Sequence, residues 1–122
     1  NAVGIACWVD SEAQIDAVTA VSGSGPAYFF LVMEVMQKVA KELGLSEQTA
    51  GELTIQTALG AAQMAGTGSL DTSQLRQQVT SPGGTTHAAI ETFKAGGIED
   101  LFRQAMQAAL HRAEEMSEEF SS

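Results

Sequence analysis

Apolar residues recur at helical spacing along most of this chain, and cap and turn residues fill the breaks between them. Ser11-Glu12 predicts a short helix through about Ala20, interrupted by SGSGP at 22–26. Residues 26–43 (PAYFFLVMEVMQKVAKEL) predict a longer helix, with Pro26 in the tolerant first turn and Gly44 at the left-handed end. Ser46 predicts the cap of a third helix to about Ala65, and Asp71 or Thr72 the cap of a short one over 71–79. A fifth runs from the doublet Gly83-Gly84 to about Lys94, stopped by Gly96-Gly97. The sixth covers 98 to about 120, with Ile98, Leu101, Phe102, Ala105, Ala109, Ala113, Met116 and Phe120 on one stripe. The fold class expected is all-α.

Two stretches depart from simple amphipathicity. From Tyr28 to Met33 the second helix is apolar on every side, and its charges Glu34, Lys38, Lys41 and Glu42 form one stripe further on. Between Leu53 and Leu70 there is no charged residue, but Gln56, Thr57, Gly60 and Gln63 make the segment too polar for a bilayer span. No other stretch reads as a signal peptide or membrane span. Two helices with so little charge in a 122-residue chain imply a second subunit to cover them.

Residues 3–9 (VGIACWV) read as a strand with no partner in the rest of the chain. Either it is a tail leading into the first helix or the last piece of a preceding domain, and the second is favoured. The chain opens Asn1-Ala2 without Met and reads as trimmed; these two residues are set aside as a candidate cloning remnant.

Composition narrows the chemistry. With 44% apolar, 17% charged and 6% aromatic residues, one domain with an aliphatic, Ala-rich core is expected. A net charge of -9 argues against nucleic acid or an anionic membrane as partner, since both demand Lys and Arg. The single Cys7 and the separated His87 and His111 give neither a disulfide nor a metal motif, and point to a reducing, cytoplasmic compartment.

Against that background TSPGGTTHA at 80–88 stands out. Glycine inside a helix costs about 1 kcal/mol relative to Ala, yet two open this one. First-turn amides have no partner within a helix and, with the dipole, suit a carboxylate or phosphate. Glycine at 83 and 84 clears the approach, and Ser81, Thr85 and Thr86 surround it with hydroxyls. An acidic protein gains a small-anion site in this way without any Lys or Arg. A plain loop and cap is the alternative. His87, one helical step past Thr86, reads as an edge residue; SGSGP either lines the same cavity or is a helix–helix turn.

VTSPGGTTHAAIETFKAGG, with DAVTAVSGSGPAYFF upstream and ALGAAQMA between, resembles the C-terminal domain of the pyrroline-5-carboxylate reductases over about Val3 to Met116. The resemblance implies a helical dimerisation domain of the 6-phosphogluconate dehydrogenase C-terminal-like type, spanning 11–122 and forming an interlocked homodimer or a higher oligomer. Residues 1–10 would end a Rossmann domain that holds NADPH or NADH. The reaction implied is reduction of L-1-pyrroline-5-carboxylate to L-proline. By that likeness the substrate carboxylate meets amides near Gly84, Thr85 and Thr86, with Ser81 and Gly83 beside them, and Thr86 hydrogen-bonds the ring nitrogen as the catalytic residue. No cofactor-binding or metal-binding residue is expected in this chain. Family members often carry an apolar residue where His87 stands.

Two competing functions are weighed. Hydroxyacid dehydrogenases of similar layout need a Lys soon after the Gly-rich turn, and the first Lys after SGSGP is Lys38, about three turns along. A dimerisation module whose Gly-Gly start is purely structural is the non-enzyme alternative.

Overall fold

The computed structural model describes residues 11–121, and the strand predicted at 3–9 lies outside them. All the regular structure among the described residues is helical: α1 (Glu12–Val18), a π-helical turn (Thr19–Gly23), α2 (Gly25–Glu42), α3 (Glu47–Thr67), α4 (Thr72–Gln78), α5 (Thr85–Ala95) and α6 (Ile98–Ser121). Most predicted ends hold to within one or two residues, because the caps are the ones the sequence advertises. Ser11 Oγ accepts from the Gln14 amide at 3.3 Å and Ser46 Oγ from the Thr49 amide at 3.1 Å. Gly44 (φ 107°) and Gly97 (φ 85°) take the left-handed turns that end α2 and precede α6.

The described residues sort into two compact units, residues 11–29 with 97–121, and Phe30–Gly96. In the first, α1 and the π-turn pack on α6. The π-turn is where the expected break at SGSGP differs from the structure. The Ser24 amide reaches five residues back to the Thr19 carbonyl at 2.9 Å, so the helical path widens by one residue and continues. Thr19 Oγ1 and Ser22 Oγ donate back to the carbonyls of Ile15 (3.1 Å) and Val18 (3.0 Å), and the Tyr28 hydroxyl donates to the Ala20 carbonyl at 2.6 Å. Ala20 is buried at this junction.

That continuity corrects the expectation that no segment has the length and apolarity of a membrane span. Helical residues run from Glu12 to Glu42, 31 residues with a mean hydropathy of 1.2 in their most apolar part, enough by length and composition to cross a bilayer. The sequence pattern had split this run at SGSGP. Its π-turn, however, packs on α6, which carries Glu99, Asp100, Arg103, Arg112 and four glutamates at 114–119. A bilayer interior does not hold such a companion cheaply.

In the second unit α3 packs on α4, and the turn from α2 to α3 is tied by Lys41 and Glu47 at 3.7 Å. Neither unit closes a large core among the described residues, where the buried hydrophobics are the small Ala20 and Ala50, with Thr54 buried as well. On α2, Phe29 and Phe30 are two-thirds exposed and Leu43 is 82% exposed; on α3, Leu53, Ile55 and Leu59 are exposed as well. The all-round apolar half of α2 thus finds little cover among the described residues. On α6 the half-buried residues are Met106, Ala109, Leu110 and Ala113, so the predicted stripe is only partly the packed face; Leu101 on it is 65% exposed.

Candidate functional site

The segment joining α4 to α5 shows why its residues are what they are. The end of α4 folds onto the Arg76 carbonyl, which accepts from the Val79 amide at 3.2 Å and from Thr80 Oγ1 at 2.5 Å. A turn follows, closed by the Gly84 amide donating to the Ser81 carbonyl at 3.0 Å. Pro82 at its second position and Gly83 at its third, with φ 74°, are the residues a type II turn selects. Gly84 is then the N-cap of α5, in extended conformation (φ -87°, ψ -178°).

The glycine doublet therefore lies before the helix, where the sequence pattern had placed it in the first turn. The helical cost of glycine does not arise. Each glycine has a separate reason: Gly83 for its left-handed φ, Gly84 for space. A Cβ on Gly84 would stand 3.3 Å from the Ser81 carbonyl oxygen and 3.4 Å from Ser81 Cβ.

The first intrahelical bond of α5 runs from the Ala88 amide to the Gly84 carbonyl at 3.1 Å. The amides of Thr85, Thr86 and His87 precede it, and α5 has no side-chain cap. Ser81, Gly83, Thr85, Thr86 and His87 are exposed and Gly84 is half-buried. The five predicted substrate-site residues are thus gathered in one turn and one helix start. Within this unit no other helix packs on α5 among the described residues. Electrostatically the spot is set by backbone dipoles and hydroxyls: an anion is the ligand that such donors can hold.

Other features carry less chemistry. An open concavity of about 480 Å³ at the α2–α3 turn, lined by Gln37, Lys38, Lys41, Glu42 and Glu47, went unnoticed in the sequence; its charges face each other across a turn. Among the described residues no group of three His, Cys, Asp or Glu side chains is placed to hold a metal ion. No strand–loop–helix with a Gly-rich dinucleotide loop occurs among them either. SGSGP belongs to the π-turn and the start of α2 in the first unit.

Described residues that are helical apart from their links, an uncapped helix start behind a glycine doublet and wide apolar surfaces have the character of an assembly domain. The family model for pyrroline-5-carboxylate reductase dimerisation matches residues 12–116, and the chain belongs to that family. Pyrroline-5-carboxylate reductase of Pseudomonas aeruginosa is 60% identical over 119 residues, 98% of this chain and 44% of the relative. That of Haemophilus influenzae is 50% identical over 95% of this chain and 43% of its own length. A pyrroline-5-carboxylate reductase structure from Coxiella burnetii superposes with a TM-score of 0.88 at 54% identity, covering 93% of this chain and 42% of that one. The Plasmodium falciparum pyrroline carboxylate reductase, solved with NADP bound, gives 0.83 at 29% identity, covering 88% and 41%. The chain thus spans less than half the length of these relatives.

Proposed function

We propose that this chain is the dimerisation and substrate-binding part of a pyrroline-5-carboxylate reductase, which reduces L-1-pyrroline-5-carboxylate to L-proline with NADPH or NADH. The observation that carries the proposal is the open start of α5: three first-turn amides, a glycine at the cap and hydroxyls on both sides, in a chain of this family. Residues 11–122 would form this part, with residues 1–10 ending a nucleotide-binding domain. That domain would hold the cofactor, which supplies the hydride.

On this chain's side the work is positioning. The substrate carboxylate would accept from the amides of Thr85 and Thr86, with Ser81 beside it and Gly83 and Gly84 giving it room. Thr86 Oγ1 would hydrogen-bond the ring nitrogen and so fix which face and which carbon of the imine lie open to attack. A threonine hydroxyl is a weak acid, so its part is to orient the ring: it would accept from the N–H of an imine already protonated, or relay a proton from water to one that is not.

The exposed apolar surfaces of α2 and α3 support a homodimer, with higher assembly built on it. Burying Phe30, Leu53 and Ile55 against a second copy would supply the core that one chain leaves open. We place the protein in the cytoplasm.

The test uses the full-length protein. Thr86→Ala should lower kcat about ten- to a hundredfold, the effect of losing one hydrogen bond to a charged group. An unchanged kcat removes Thr86 from the mechanism. A crystal of the full-length protein with proline bound away from the α5 start would overturn the site.

A further inference from the structure

The widened turn at Thr19–Gly23 takes an amide from one carbonyl and gives it to another. In an α-helix the Ser24 amide would donate four residues back, to Ala20; here it donates five back, to Thr19, at 2.9 Å. Ala20 is only 4% exposed, so its carbonyl has little water to turn to, and a buried acceptor left unpaired is costly. The Tyr28 hydroxyl, eight residues on, donates to that carbonyl at 2.6 Å. The other hydroxyls of the turn serve different carbonyls, Thr19 that of Ile15 and Ser22 that of Val18.

Neither helical register is complete in this stretch. The α-register would return the Ser24 amide to Ala20, but Pro26 has no N–H, so Ser22 would lack its donor four residues on. The π-register satisfies Thr19 and leaves Ala20 to a phenol. Gly23 and Gly25 put no Cβ in the way of either path, which keeps the backbone free to exchange them. Two registers with one defect each lie close in energy, and a single hydrogen bond decides between them.

The choice bears on packing, because within this unit the π-turn touches both α1 and α6. Tightening it to α would rotate α1 against the start of α2 by roughly a quarter-turn, one residue's worth at about 3.6 per turn, and carry its present face off α6. We propose that Tyr28 is the latch of a register joint. With its hydroxyl on the Ala20 carbonyl the chain holds the π-turn against α6; with the hydroxyl gone, the joint passes between the two registers and α1 leaves α6 at each passage. The joint lies wholly within residues 11–29 and 97–121 and does not depend on the carboxylate reading of the α5 start.

The test is native-state amide hydrogen exchange on the full-length protein, unaltered and as Tyr28→Phe, which removes the hydroxyl and keeps the ring. Each passage between registers frees the amides of the turn, so exchange at Gly23 and Ser24 should quicken about tenfold, the scale of one lost hydrogen bond. Amides of residues 30–96 should keep their rates. An equal acceleration along the whole chain would make the bond an ordinary contribution to stability and overturn the latch. Unchanged rates at Gly23 and Ser24 would overturn it too, since the π-turn would then stand without Tyr28.

Discussion

At the start of α4 the carboxylate of Asp71 accepts from the Gln74 amide at 2.8 Å, and Gln74 returns the bond to the Asp71 amide, a complete capping box. At the start of α5, in the same unit, the cap position is Gly84 and no side chain takes that part. One helix satisfies its first turn with a carboxylate of its own; the next presents the same donors and leaves the carboxylate out. The residues after each cap, Thr72 to Gln74 and Thr85 to His87, are exposed, so solvent access to the first turn does not distinguish them. What differs is the residue at the cap. The contrast teaches that, if the proposed site is right, a helix start becomes a receptor by omission, because the affinity of backbone amides for an anion is present in every helix and is usually spent locally.

The sharpest way to break the contrast is to give α5 its own acid. Gly84→Asp puts a tethered carboxylate where the proposal seats the substrate, at an effective concentration that free ligand does not match. Affinity for proline should fall at least about tenfold, measured by calorimetry on the full-length protein. Stability should barely move, since Asp and Gly differ by about a few tenths of a kcal/mol as caps. The added Cβ, 3.3 Å from the Ser81 oxygen, offsets part of any gain. Unchanged affinity would mean the amides of α5 are not the receptor.

A smaller effect comes from the turn that aims them. Gly83 holds φ 74° with open space where a Cβ would go, so Gly83→Ala meets no clash and tests backbone preference by itself. The left-handed conformation costs a non-glycine residue about 1–2 kcal/mol. The free energy of unfolding, read from the urea midpoint at unchanged slope, should fall by that amount. No shift would show that the turn relaxes to negative φ in the full-length protein, and the type II geometry would lose its part in the argument.

Much of this fold can be read from the letters because its punctuation is chemical. Ser11, Ser46 and Asp71 each precede a helix and each caps it; Gly44 and Gly97 each take positive φ. The exposed apolar half of α2 follows from residues 28–33 having no polar side. Two features escape such reading. A π-turn inserts one residue without disturbing apolar spacing on either side, so Thr19–Gly23 looks like the tail of one helix, and the reach of Tyr28 to the Ala20 carbonyl depends on that insertion. The glycine doublet was legible as a helix opening but not as two positions with different duties, since a turn type depends on dihedral angles that composition only suggests. The gathering of Ser81, Gly83, Gly84, Thr85 and Thr86 follows from their adjacency in sequence. Which ligand they would hold, on the proposed reading, does not.

The smallest effect closes the comparison from its other side. Asp71→Ala removes the carboxylate that α4 supplies to itself, leaving the Gln74 amide without its 2.8 Å acceptor. Helix α4 should lose about 1 kcal/mol, the ordinary value of such a cap, read as a lower urea midpoint. Proline affinity should stay where it is, because α4 carries none of the proposed ligand contacts, and added acetate should restore little, because a free anion must pay the association entropy that the tethered side chain avoids. If Asp71→Ala weakens proline binding as strongly as Gly84→Asp does, the two helix starts are coupled through the Arg76 carbonyl and the Ser81 turn between them. The α5 start would then be a part of α4's architecture more than a receptor in its own right.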